Sequence, residues 1–312
     1  MFPHPFTHQS PTYTPFSTGI YTVTPGLTLL SKADFGNGDL DKKIFQLDNC
    51  YPIFIEHKIY LAKTQPQRHI LSHNLNHSLA TTITQFIKQT LATEYNLTLP
   101  EKLTYPTNPF PQSALELDTL ALYLQEDLAI IQQTKTPTKT PTTIETPPSN
   151  IIRYLHISSP NYWAPEEKIG KTFAQIHAPV AGMDLSLEHK IVNAITTKGP
   201  YVRFAWGITT DTHLNHHPNP PPNTQKQLWH GRTFDKNNPQ AYLRIERQVT
   251  VPFPEHNAAL FLIHPYFTDI TTLSKDHKTQ LLNAISSMTT EQKQYKGLTG
   301  KDELINWIET EI

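Results

Sequence analysis

The strongest constraint on this chain is the alternation in YLRIERQVT, Tyr242 to Thr250. Successive side chains of a strand point to opposite faces. Arg244, Glu246 and Gln248 therefore share one face, and Leu243, Ile245, Arg247 and Val249 share the other. Two further stretches carry related signatures. YVRFAWGIT sets Val202, Phe204, Trp206 and Ile208 on one side, and AALFLIHPYF has the continuous apolar character of a mostly buried strand. Helical spacing surrounds these strands. It predicts helices through Leu75, Leu79, Ile83, Phe86, Ile87 and Leu91, and through Leu117, Leu120, Leu124, Leu128 and Ile131. Shorter ones run through Ile169, Phe173 and Ile176, through Leu187, Ile191 and Ile195, and through Leu281, Leu282, Ile285 and Met288. Strands grouped after residue 150 with helices around them imply an α+β fold rather than a βαβ repeat.

Two proline-rich breaks divide the pattern. The segment 132–150, QQTKTPTKTPTTIETPPSN, can hold neither a helix nor a central strand, so it is expected as an exposed loop. HHPNPPPN, residues 216–223, is expected as a second surface excursion. Residues 1–19 make an irregular arm, and 20–312 make one domain interrupted by the loop at 133–150. A chain of 312 residues buries enough apolar surface to need no disulfide or structural metal.

Charge and cysteine content exclude several functions. Lys and Arg total 26 against 27 acidic residues, which leaves no basic excess for a general nucleic-acid binder. A single cysteine, Cys50, excludes an intrachain disulfide and a cysteine-ligated iron–sulfur cluster. The start MFPHPFTHQSPTYTPFS lacks the basic and apolar regions of a secretory leader, and no apolar run approaches a membrane span. A reducing, intracellular and cytoplasmic setting is the resulting expectation. GxGxxG, P-loop, GxSxG and HExxH patterns are absent, so no nucleotide loop or common hydrolase signature is present.

Several residues offer chemistry. Arg247 interrupts an apolar strand face, and a buried guanidinium requires an anion: a protein carboxylate or the anion of a ligand. Glu246, on the other face, is either a solvated strand residue or a carboxylate aimed at a cationic substrate. His177 follows a short helix whose start has Pro165 with Glu166 and Glu167; it caps that helix or ligates a metal. His69, His73 and His77 recur every fourth residue, and His213, His216 and His217 fall in the proline-rich loop. Sixteen histidines make chance clusters common, and neither group has the partners of a strong metal motif. Cys50, in DNCYP, fits a buried structural thiol better than a ligand.

Several stretches together resemble the haem-dependent oxidative N-demethylase family. Phe45-Gln46-Leu47-Asp48 with Tyr51 and Lys58 is similar to its N-terminal segment, and YLQEDLAIIQ to its QEDL element. WAPEEKIGKTFAQIHAPV resembles its W-x-P-x-x-K-x-G…IH-x-PV block. RFAWGI and LRIERQVTVPFPEHNAALFLIHPY resemble its R-x-x-W-x-I and ERQ blocks. The resemblance spans about residues 20 to 270. It implies a PAS-like antiparallel sheet flanked by helices, a b-type haem, and O2-dependent oxidation of a small secondary amine to formaldehyde and the shorter amine. It also implies a separate reductase, since the chain has no electron-carrying motif of its own. Under it His177 is the proximal haem ligand, Arg203 and Arg247 hold propionates, and Trp206 packs on the haem or substrate. Glu246, positioned by Arg244, receives the amine. The chain departs from the pattern in IHAPVAG, RFAW and ERQVTVPFP, which motivates a second reading as a non-catalytic haem-binding sensor or binding module. A haem-free binding protein with internally paired arginines is a third.

Overall fold

A computed structural model describes residues 11–24, 26–99, 115–134 and 150–310, with 227 and 228 as backbone only. Seven strands form one antiparallel sheet: β1 (Thr28–Leu29), β2 (Ile70–Ser72), β3 (Asp127–Gln133), β4 (Asn150–His156), β5 (Tyr201–Thr209), β6 (Tyr242–Phe253) and β7 (Ala258–Asp269). Their order across the sheet is β1-β5-β6-β7-β3-β4-β2. The helices are α1 (Tyr51–Thr64), α2 (Pro66–His69), α3 (His77–Tyr95), α4 (Glu116–Ala121), α5 (Phe173–His177), α6 (Glu188–Thr197), α7 (Lys226–Trp229), α8 (Lys275–Ser286), α9 (Thr290–Tyr295) and α10 (Asp302–Thr310). The fold is α+β, as the alternation predicts.

The long hairpin β6–β7 is the spine. Its register sets Arg247 opposite His264 and Glu246 opposite Pro265. β5 continues it, with Ala205 opposite Glu246 and Gly207 opposite Arg244. The first face of this sheet thus carries Arg203, Ala205, Gly207, Arg244, Glu246 and Gln248. On β3, β4 and β7 the same face is apolar, and Phe173 of α5 with Val192 and Ile195 of α6 cover it. The second face carries Leu243, Ile245, Val249, Leu260 and Leu262. It is filled by Leu79, Ile83, Ile87 and Leu91 of α3 at one end and by Leu281, Ile285, Leu304 and Ile308 of α8 and α10 at the other.

Three expectations change. The helix expected through Leu117 to Ile131 is instead α4 followed by strand β3. Leu128 and Ile130 enter one core and Ala129 and Ile131 another, and a strand buried on both faces gives a continuous apolar run that also satisfies helical spacing. The helix expected through Ile169 shrinks to five residues. Gly170 turns at φ +73° against His73, Thr172 starts a fresh capping box with Gln175, and Pro179 follows the end. HHPNPPPN is not wholly a surface excursion, because His216 and His217 are buried. Most of the proline–threonine loop lies outside the described residues. In the arm, Tyr13 and Phe16 are buried against the α8–α10 end of the sheet. Among the described residues no helix is long and apolar enough to cross a membrane.

Candidate functional site

Segments far apart in sequence meet in a buried polar network beneath the second face. His264 sits between Asp48 Oδ2, 3.2 Å from Nε2, and Glu126 Oε1, 3.3 Å from Nδ1. Burial alone would lower its pKa, but the two carboxylates win and raise it. Asp48 is correspondingly held below the usual carboxylate range: its burial is outweighed by His264 and Gln125. Glu126 Oε1 also accepts the Gln46 N–H at 2.6 Å. Gln125 and Asp48 exchange two bonds of 2.8 Å, and Tyr266 donates to Gln46 at 3.0 Å. Lys58 Nζ donates to the carbonyls of Ala121 and Glu126, and burial pulls its pKa down to about 8. On the other side of β3, at the first face, Asp127 accepts from Ser158 N, Ser158 Oγ and Ser159 N. The carboxylates here face cations or convergent N–H groups, which is what a buried charge needs to persist; Glu126 Oε2 alone among their oxygens is buried without a partner.

The first face differs over β5 and β6. Glu246 is half-buried and accepts from Gln248 Nε2 at 3.0 Å. Lys296, just past α9, reaches the sheet edge that β1 leaves uncovered and donates to the Trp206 carbonyl at 2.6 Å. Its pKa falls to about 8, chiefly through burial; Glu246 pulls it up, while Arg203 and Arg232 push it down. Among the described residues neither the Arg203 nor the Arg232 guanidinium makes a hydrogen bond or an ion pair, and the Nε of each is buried without a partner. A side chain added at Gly207 would meet nothing within 4 Å, so the face is open beside Arg244.

His177 closes α5 on this same face. Its ring packs on Phe173 with centroids 4.0 Å apart, and Nδ1 donates to the Phe173 carbonyl at 2.8 Å. Nε2 has no hydrogen-bond partner among the described residues. Burial drives its pKa down to about 4, and Arg203 nearby lowers it further, so the imidazole is neutral at pH 7. A neutral ring with one nitrogen anchored to a backbone carbonyl and the other free is the state of a ligating histidine.

The remaining candidates have other partners. Arg247 lies on the opposite face, where its guanidinium donates to the carbonyls of Lys43, Asp41 and Ile44 at 2.6, 3.2 and 3.4 Å. Main-chain oxygens, rather than a carboxylate or a ligand anion, therefore hold its two terminal nitrogens, while its Nε, like that of Arg244, is buried without a partner. Arg244 shares the face of Glu246, yet its donors go to Ser159, Leu214 and His213 carbonyls and to His216 Nδ1. It ties the 213–217 loop to the sheet. Trp206 is on the second face, packed edge-on against Phe16 and Tyr21. Sequence reasoning missed Lys296, Arg232 and His264, each an isolated residue whose role depends on tertiary packing.

The histidine groupings resolve individually. His69 ends α2 and His77 begins α3 with β2 between them, so they do not share one helix face. Asp211, absent from the sequence reading, brings an oxygen within 4.8 Å of nitrogens of His213 and His216. Arg244 Nη1 donates to His216 Nδ1 at 3.2 Å, which leaves the ring proton on Nε2 to bond Asp211 at 2.8 Å. The lone pair a cation would need faces a guanidinium instead. Cys50 is buried at the start of α1, and burial with the Asp48 charge pushes its thiol up to about 12. A cleft of about 170 Å³ beside Val23, Met183 and Gln292 flanks the loop after His177. It falls below the roughly 300–1,000 Å³ of ligand pockets.

Comparison with curated proteins finds no match. Comparison with protein families finds one, described as haem-dependent oxidative N-demethylase, alpha subunit-like, over residues 38–305. That interval takes in both the buried network and the half-open face, and most of the chain. The chain belongs to the haem-dependent oxidative N-demethylase alpha-subunit-like family.

Proposed function

We propose that this chain holds a b-type haem over the β5–β6 face and oxidatively N-demethylates a small secondary amine. The observation that carries the reading is His177: a neutral imidazole, fixed through Nδ1, with a free Nε2 on the face that also holds the unpartnered Arg203. These residues fit a haem, which requires a nitrogen ligand for iron and cations for its propionates. The antiparallel sheet with one face given to a cofactor also suits the PAS-like reading.

When bound, haem supplies the O2-activating chemistry. The chain's residues do the rest. His177 Nε2 takes the iron, and Arg203 takes a propionate. Glu246, half-exposed and steadied by Gln248, accepts the N–H of the amine. Arg244 acts at one remove, holding the 213–217 loop against that face. Arg247 and Trp206 keep structural roles, because their side chains point to the second face. For an N-methyl amine the balance is RNHCH3 + O2 + 2 H⁺ + 2 e⁻ → RNH2 + CH2O + H2O. The two electrons come from a separate reductase, since one buried thiol and no nucleotide loop provide no carrier. Neither nucleic acid nor a membrane has a part in this scheme, and the reducing interior of a cell suits the single thiol.

The test is to load the protein with haem, supply electrons, and measure formaldehyde and O2 with dimethylamine. Equimolar formaldehyde and O2 turnover is expected, with Glu246→Gln weakening the amine-induced Soret shift at unchanged haem content. A second reading is favoured by the cations around Glu246, which oppose another positive charge: a haem-binding sensor. It predicts a Soret band indifferent to amines and no formaldehyde.

A further inference from the structure

Arg232 is held by stacking, and among the described residues its guanidinium makes no hydrogen bond. Its Cζ lies 3.4 Å from the centroid of the Tyr162 ring, a flat guanidinium–aromatic stack. On its other side runs the backbone of Gly297, at φ +69°. A Cβ there would sit 2.5 Å from Cζ and 2.7 Å from both Nε and Nη1. Only glycine lets that backbone lie so close. Tyr162 is itself at φ +64°, a left-handed conformation that costs a non-glycine residue energy. It is kept there by its hydroxyl bond to the His230 carbonyl at 2.6 Å and by a parallel stack on the buried His216, planes 1° apart. The Arg232 carbonyl is fixed as well, by Lys301 at 2.6 Å. The chain thus maintains a strained tyrosine and a conformationally special glycine to hold flat a guanidinium whose in-plane donors have no partner among the described residues.

The surrounding charge says what those donors await. Arg203, Lys296 and Arg244 share the field of one carboxylate, Glu246, with Arg232 close enough to act on Lys296; Asp127 and Asp211 also act on Arg244, and Asp211 is bonded to His213 N and His216. Arg203 and Arg232 make no ion pair with any of these carboxylates, which leaves both guanidinium forks open to an anion. The fork of a stacked guanidinium suits a carboxylate. We infer that Arg232 and Arg203 together bind a dianion through its two carboxylates, and that these are the propionates of the haem proposed above, with Arg232 in the place the sequence assigned to Arg247. This rests on that haem reading. It also removes an objection to it, since two bound carboxylates cancel the excess positive charge that would otherwise repel an amine cation from Glu246.

The experiment is an equilibrium titration of the apoprotein with haem and with haem dimethyl ester, whose propionates carry no charge, followed at the Soret band. The wild type should bind haem at least about tenfold more tightly than the ester, the size expected for charge-assisted bonds. Arg232→Met should lose about that factor for haem and none for the ester. Arg232→Lys, which keeps the charge but not the fork, should fall between. Unchanged ester binding by the variants shows that the pocket is intact. If Arg232→Met binds haem as the wild type does, or weakens haem and ester equally, the inference is wrong while the haem reading stands. If the wild type binds neither, the haem reading fails and takes this one with it.

Discussion

The two faces of the sheet treat buried charge in opposite ways. Beneath the second face, Asp48 and Glu126 close on His264, and Lys58 is tied to two carbonyls. On the first face, over β5 and β6, Arg203 and Arg232 have no hydrogen-bonding partner among the described residues, and Arg203, Arg244 and Lys296 share the field of Glu246. Both regions are polar and both lie in the matched family interval. The first is closed except at Glu126 Oε2, which is buried without a partner. The second holds charges at the expense of stability, a pattern that marks sites built for a ligand. Polar residues within shared motifs therefore divide into those that close the fold and those that leave it open.

The largest effect should come from breaking the closed network. Asp48→Ala leaves the buried His264 with Glu126 as its one carboxylate partner and strips acceptors from Gln125 and the Cys50 N–H. Removing one partner of a buried pair should cost about 3–5 kcal/mol, measurable by urea denaturation. Haem affinity per folded molecule should be unchanged. A cost well under 1 kcal/mol would show that the network adds little to folding.

A smaller loss should follow from disturbing the open face through its clamp. Gly297→Ala puts a methyl group against the Arg232 guanidinium at positive φ and should cost about 1–2 kcal/mol. Unlike Asp48→Ala, it should also lower the affinity for haem but not for the dimethyl ester. Equal affinities in wild type and variant would separate the clamp from the ligand.

Lys296 should give the smallest signal. Its pKa of about 8 in the fold is below the usual 10.4, so the unfolded chain binds more protons between those values. Stability should accordingly rise with pH from about 8 to about 10.4, a slope that Lys296→Met reduces, leaving the share of Lys58. Because the residue is only partly buried and water screens it, the total change should be about 1 kcal/mol or less. An identical slope in both proteins would place the titration elsewhere.

Much of the spine was legible in the sequence. Period-two alternation places β5 and β6, and helical spacing places α3, α6 and α8, because each buries one side and leaves the other wet. β3 was not legible, since both of its faces are buried. The site was legible in part. His177 and Arg203 stand out by motif, but which face an arginine serves depends on what the rest of the chain brings to it. Arg247 looks like a ligand residue until the carbonyls of residues 41–44 arrive. Arg232 has no motif at all: Tyr162 and Gly297, 70 and 65 positions away, determine its state.

The central claim is that His177 Nε2 is the iron-ligating atom of the open face. The direct test is haem titration of the wild type and of His177→Gly, the latter with and without added imidazole. The account predicts a stoichiometric Soret band in the wild type, its loss or displacement in the variant with folding unchanged, and its restoration by imidazole. A variant that binds haem with an unaltered spectrum would contradict the account.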